Sequence, residues 1–282
     1  MVTRPLISRP AYHRLVRYAI DLGNSAAKVG YLRDGALISL RVAAPANPRD
    51  AAAWRTVASS LLDLAAADGG EPSALIVASV VPVASAALEA VAADRNIKFK
   101  TVKSTDLPLA FDVESPERIG VDRVLAAWHT YATLGAPRGR GAIAVTLGTA
   151  LTVTCVSRAG TLLGGAIAAS PILAARALAA GTAALPEITL YDESPDIPGP
   201  IGRTTESALA AGILRSARAG LVALIGESVR ALEERDPGSP APAISLTGGA
   251  ATAGWSAGIA ADLRDPDVVL RALLAVNSGV AS

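Results

Sequence analysis

Ala19-Ile20-Asp21-Leu22-Gly23-Asn24 near the start of the chain and Ala144-Val145-Thr146-Leu147-Gly148-Thr149 in its middle are two versions of one phrase. Each is an apolar run closed by Leu, Gly and a small polar residue, the pattern of a buried strand stopped by a tight turn. Recurrence at this separation predicts two lobes built on one duplicated unit. Around the first copy, strands are expected at Tyr18 to Leu22, Ala27 to Leu32 and Leu37 to Val42, with turns at Gly23-Asn24 and Asp34-Gly35. Asn47 is expected to cap a helix reaching about Ala67, in which Trp54, Val57, Leu61, Leu62 and Ala65 recur at helical spacing before Asp68-Gly69-Gly70. A strand at Ala74 to Val80, a helix at Val83 to Ala93 and a strand at Ile97 to Val102 complete a β-β-β-α-β-α-β lobe with a mixed sheet.

The second half begins with a helix predicted at Val121 to Leu134. Strands are expected at Ala142 to Leu147, Ala150 to Ser157 and Thr161 to Gly165. Helices at Ala168 to Ala180, Thr205 to Glu234 and Asp267 to Val276, with a strand at Ala243 to Leu246, give a second α/β lobe. Pro186 to Pro200 is expected to be a surface connection. The fold class is therefore α/β, with two mixed-sheet lobes and a duplicated β-β-β-α-β-α core. Residues 1–16 form a loose N-terminal extension, 17–118 the first lobe and 119–282 the second.

With 51% apolar and 18% charged residues, the 282-residue chain can bury a large core. A net charge of +1 supplies no basic field, so nucleic acid is not an expected partner. The one cysteine, Cys155, and the two histidines, His13 and His129, exclude a disulfide framework and a Cys/His metal site, leaving oxygen-ligated hard cations. No uninterrupted apolar run of membrane-spanning length is expected, and Met1 to Val16 lacks the apolar segment of a secretory signal, so the expected location is cytoplasmic.

Chemistry concentrates at the turns. A turn ending in Gly and a small polar residue turns backbone N–H groups toward phosphate oxygens with no Cβ in the way. Asp21 at the strand end suits Mg²⁺, and Lys28 would add positive charge near the phosphates. Gly148-Thr149 repeats the turn in the second half. At Gly120-Val121-Asp122-Arg123 a carboxylate and a guanidinium open a helix. Asp122 could take a proton from an acceptor hydroxyl, and Arg123 could hold a substrate carboxylate.

Six motifs in register carry a resemblance: Asp21-Leu22-Gly23-Asn24-Ser25, Ser79-Val80-Val81-Pro82, Gly120-Val121-Asp122-Arg123, Leu147-Gly148-Thr149-Ala150, Gly164-Gly165-Ala166-Ile167 and Thr182-Ala183-Ala184-Leu185-Pro186. Thr247-Gly248-Gly249 and Asp265-Pro266-Asp267-Val268-Val269-Leu270 extend it to about Asn277. Together they resemble the type III pantothenate kinase family. The resemblance implies lobes of the RNase H-like, actin type and a homodimer that phosphorylates pantothenate with ATP and Mg²⁺, opening coenzyme A synthesis. It assigns phosphate and metal binding to Asp21, Gly23, Asn24 and Ser25, with Gly148 and Thr149 in the partner turn. Asp122 would be the base, Gly120 and Arg123 would bind pantothenate, and Thr182 would reach pantothenate from the neighbouring subunit.

Departures fall inside the motifs. Thr146 and Thr154 stand where the family usually has Asp in the second turn, with Leu151 between them, and a carboxylate at position 146 is associated with K⁺ or NH₄⁺. Loss of that charge predicts either turnover without a monovalent cation or no turnover. Ala169-Ser170 replaces a usual Pro-Gly, and Val113 a usual aromatic. These changes open an alternative, a family member that has become a binding or regulatory protein. Retention of Asp21, Asp122 and Arg123 speaks against it.

Overall fold

A computed structural model of the chain describes residues 17–190 and 197–276; the expected N-terminal extension, His13 and part of the Pro-rich connection lie outside them. The first hairpins form as their alternation dictates. β1 (Arg17–Leu22) pairs antiparallel with β2 (Ala26–Arg33), and β2 pairs antiparallel with β3 (Ala36–Ala43). Helix α1 (Ala51–Gly69) is capped by Asp50, whose carboxylate accepts from the Ala53 N–H at 3.0 Å. Asn47, the expected cap, instead accepts from the Arg49 N–H at 3.1 Å in the turn before it. β4 (Ala74–Ser79), α2 (Pro82–Asp94) and β5 (Lys98–Thr101) follow. Pro82 opens α2, where its missing N–H costs nothing.

Next come β6 (Ala110–Phe111), α3 (Val121–Thr130), continued by a wider turn at Tyr131–Gly135, and β7 (Ala142–Leu147), β8 (Ala150–Val156) and β9 (Thr161–Ala169). The expected start of the following helix at Ala168 is corrected, because Ala168 and Ala169 still pair with Leu151 and Ala150. Helix α4 (Pro171–Gly181) begins only where Ser170 caps it, accepting from the Leu173 N–H at 3.2 Å. The long α5 (Thr205–Arg235), β10 (Ala243–Thr247), β11 (Leu263–Arg264) and α6 (Val268–Val276) complete the chain.

The sheets run β3-β2-β1-β4-β5 and β11-β10-β7-β8-β9-β6. Reversed, the second gives β9-β8-β7-β10-β11, the same order as the first with β6 added at one edge, so the duplication expected from the phrase is a duplication of topology. The short β6 precedes α3 in sequence yet pairs with β9 in the second sheet, whereas α6 returns from the end of the chain to the first.

Alternation along each strand sorts side chains into three cores. Tyr18, Ile20, Leu22, Val29, Leu75 and Val77 meet α1 and α2 on the outer face of the first sheet, with Trp54 buried among them. Ile143, Val145, Leu147, Leu151 and Val153 meet α5 and Trp255 on the outer face of the second. The inner faces carry small residues, Ala19 and Ala78 on one sheet and Ala142 and Ala144 on the other, and α3 and α6 pack with them through Leu125, Trp128, Leu270 and Leu273. Small inner side chains let two helices fit between two sheets. The inward positions next along β1 and β7 are Asp21 and Thr146.

Candidate active site

Asp21 lies in register with Lys28 across β1 and β2, on the inner face. Among the described residues no hydrogen bond or ion pair reaches its carboxylate; Lys28 Nζ instead donates to the Pro266 carbonyl at 2.9 Å and to Asp267 Oδ1 at 3.0 Å. Asp267 also accepts from Ser39 Oγ at 2.7 Å. Burial, with Asp122 and Asp267 adding negative charge, pushes the Asp21 pKa up to about 7 despite the nearby Lys28. A carboxylate so placed, with no partner among the described residues and a second carboxylate close by, suits a hard divalent cation whose charge would offset that repulsion.

Helix α3 presents Asp122 and Arg123 at its N-terminus, capped by Gly120. The Asp122 side chain folds back over Gly120: a Cβ on Gly120 would lie 2.6 Å from Asp122 Oδ1 and 3.5 Å from Val80. Only glycine admits that rotamer without displacement. Burial raises the Asp122 pKa, while backbone N–H groups at the helix start and the Arg123 charge pull it the other way. The result is a carboxylate more basic than usual and aimed by its own helix. Arg123 is partly buried, and its Nε donates to Thr154 Oγ1 at 3.3 Å; no carboxylate pairs with it among the described residues. Burial works against its charge and Asp122 supports it.

The two turns meet. Ser25 Oγ and Thr149 Oγ1 lie 2.5 Å apart, so Gly23-Asn24-Ser25 and Gly148-Thr149 face one another. Behind the second turn, Thr247, Thr146 and Thr152 stand abreast on β10, β7 and β8, by register on one face. The hydroxyls of Thr247 and Thr152 are buried with no partner among the described residues. A third glycine turn abuts them, where Gly248 at φ 94° brings its Cα against the Leu147 backbone. Thr182 sits elsewhere: at the exposed end of α4, it donates to the Leu178 carbonyl at 2.8 Å and accepts from the Leu185 N–H at 3.4 Å.

Ser25 thus meets Thr149, and Asp21 lies near Asp122, which folds over Gly120 beside Arg123, while Lys28 is engaged by Asp267. Sequence reasoning missed Asp267 and Ser39, and saw in Thr154 only a lost carboxylate. Asp267 lay inside a quoted motif without a role, and Ser39 and the Arg123–Thr154 contact become visible only in the fold. Cys155 is a buried free thiol, and Trp54, Trp128 and Trp255 are core residues. His129 is partly exposed, but its Nδ1 is buried without a partner among the described residues; burial and Arg271 keep its pKa low.

Residues 18–229 match the sequence pattern of the type III pantothenate kinase family. The chain is 31% identical over 260 residues to a type III pantothenate kinase of Sphingopyxis alaskensis, covering 91% of this chain and 95% of that one. It is 30% identical over 262 residues to a type III pantothenate kinase of Thermus thermophilus, covering 93% and 98%. Among solved structures it is similar to a ROK family glucokinase from Streptomyces griseus, with a TM-score of 0.48, 14% identity, and 92% and 97% of the two chains covered. The family pattern spans both glycine turns and the Gly120-Val121-Asp122-Arg123 segment, and the relatives align over about nine-tenths of the chain, so the chain belongs to the type III pantothenate kinase family.

Proposed function

We propose that the protein transfers the γ-phosphoryl group of ATP to the hydroxyl of pantothenate, giving 4'-phosphopantothenate at the head of coenzyme A synthesis. The observation that carries this is the pair at the start of α3: a partly buried Asp122 of raised pKa beside an Arg123 that forms no ion pair among the described residues. Phosphoryl transfer asks the protein mainly for positioning, charge neutralisation and a proton acceptor. Gly23-Asn24-Ser25 and Gly148-Thr149 hold the phosphates from opposite sides. Arg123 holds the pantothenate carboxylate, and Asp122 takes the proton of the attacking hydroxyl. Mg²⁺ bound at Asp21 would supply charge neutralisation at the β- and γ-phosphates. Because Thr146 leaves the second turn neutral, turnover is assigned without a requirement for K⁺ or NH₄⁺.

We further propose that the protein works as a homodimer in the cytoplasm. Helix α5 is long and apolar enough by composition to cross a bilayer, yet Ala211, Leu214, Leu221, Ile225 and Leu232 pack inward and Arg215 and Arg218 interrupt the apolar stretch. Its outward side shares with α4 an apolar groove of about 790 Å³, lined by Leu151, Leu178, Leu185, Leu209, Ile213 and Leu224. Ala208, Gly212, Ser216 and Gly220 recur along it at four-residue steps, the spacing at which another helix approaches closely. A second copy covering this face would put Thr182, beside the groove, within reach of the partner's acceptor site.

A coupled assay of ADP release with pantothenate, run with and without K⁺ or NH₄⁺, tests the activity. The expected result is pantothenate-dependent release under both conditions. A folded protein that binds ATP and releases no ADP under any condition would instead support the binding-protein alternative.

A further inference from the structure

The geometry points to Thr154 as the positioning residue that fixes how an anionic acceptor docks, an inference that rests on the role proposed above for Arg123. A guanidinium offers a carboxylate two forked edges, one formed by Nε with a neighbouring Nη and one formed by the Nη pair. Nε is already committed: it donates at 3.3 Å to Thr154 Oγ1, and that is the one side-chain hydrogen bond Arg123 makes among the described residues. Thr154 is 1% exposed on β8, a strand paired on both sides, with Ala144 on β7 and Gly165 on β9 as its register partners. Neither partner carries a side chain longer than a methyl group, so the guanidinium has room to lie over this part of the sheet. Its contact is with a fixed point.

Thr154 orients Arg123 without neutralising it. A hydroxyl accepts the Nε–H and leaves the full positive charge for the ligand, and Asp122, the adjacent carboxylate, is folded back over Gly120. The acceptor carboxylate is therefore met end-on by the Nη pair, in a direction set by β8 rather than by the helix that carries Arg123. Loss of the hydroxyl frees the guanidinium to rotate and leaves Nε–H without its acceptor. It changes neither the phosphate turns nor Asp122.

The test is equilibrium binding by titration calorimetry on the full chain, with pantothenate, its primary carboxamide and ATP as separate ligands, and melting temperature as the check on folding. Thr154→Val, which nearly keeps the side-chain volume, is expected to weaken pantothenate about tenfold and to leave the carboxamide and ATP within about twofold. Thr154→Ser, which restores the hydroxyl, is expected to bind all three within about twofold of the parent. Unchanged pantothenate affinity in a folded Thr154→Val protein, or equal losses for acid and carboxamide, would overturn the positioning role. Arg123→Gln separates this from the underlying reading. Selective loss of the acid in that variant keeps Arg123 as the carboxylate site whatever Thr154 does, whereas equal loss of both ligands removes Arg123, and the inference with it.

Discussion

The turns after β1 and β7 descend from one phrase and occupy equivalent places in equivalent sheets, yet they are built differently. The first is electrostatically loaded, with Asp21 inward, Asp122 and Asp267 nearby and Lys28 in register. The second is neutral and tight: Thr146 stands between Thr247 and Thr152, and Gly248 is pressed against the Leu147 backbone. Duplication supplied two scaffolds of the same shape, and substitution at one inward position of each separated a charge-bearing half from a shape-bearing half. Fold depended on the apolar outward positions, which both halves keep.

The largest expected contrast is in turnover. Asp21→Asn should lower kcat by on the order of a hundredfold or more, since it removes the proposed metal ligand, whereas Thr146→Val should cost less than about threefold. Steady-state ADP release measures both. Equal losses would mean that the side chain at position 146 takes as large a part in the chemistry as Asp21.

A second contrast concerns stability. Gly248→Ala places a Cβ 2.6 Å from the Leu147 carbonyl oxygen at a positive φ, and should destabilise the fold by about 3 kcal/mol. Gly23→Ala meets its nearest atom, the Ala26 carbonyl oxygen, at 3.4 Å, an ordinary contact, and should cost less than about 1 kcal/mol. Urea unfolding of the two variants resolves this. Similar values would show that the tightness of the second turn is not what holds it.

The smallest effect is the most diagnostic of charge. The folded-state pKa of Asp21, about 7, lies above its unfolded value, so its contribution to stability is full below the ordinary carboxylate range and is lost as pH rises through 7. In metal-free protein, Asp21→Asn should therefore raise Tm at pH 8 by about 3–6 °C and leave it nearly unchanged at pH 4. Thr146→Val should show no such pH dependence. A Tm gain for Asp21→Asn that is the same at both pH values would point to packing instead.

Much of this was legible in the sequence, and the exceptions share a cause. Strand ends at Leu22 and Leu147 were marked by glycine, and α2 by Pro82, because these signals act within a few residues. The start of α1 was displaced from Asn47 to Asp50 because two competent caps lie three residues apart and the chain chose between them in tertiary context. Ala166 to Ala169 reads equally as helix or strand, and only pairing with β8 decides it. The two-residue strands β6 and β11 carry no periodicity at all. At the site, Asp21, Asp122 and the two turns could be picked out locally. The contacts Lys28–Asp267 and Arg123–Thr154 join distant segments, so no local pattern announces them.

Helix α6 has a consequence for how the molecule is made. It fills the inner face of the first sheet, where Leu270 packs in one core with Ala19 and Ile76, and segments about 190 to 250 residues apart in sequence are thus required to finish a single layer. A nascent chain leaving the ribosome presents the Ala19, Ile76 and Ala78 face without the cover of α6 until Val268 to Val276 has been made. Early release by a stop codon before Val268 would yield a product with both glycine turns encoded and an apolar sheet face bare, a substrate for chaperones and proteases rather than a shortened enzyme.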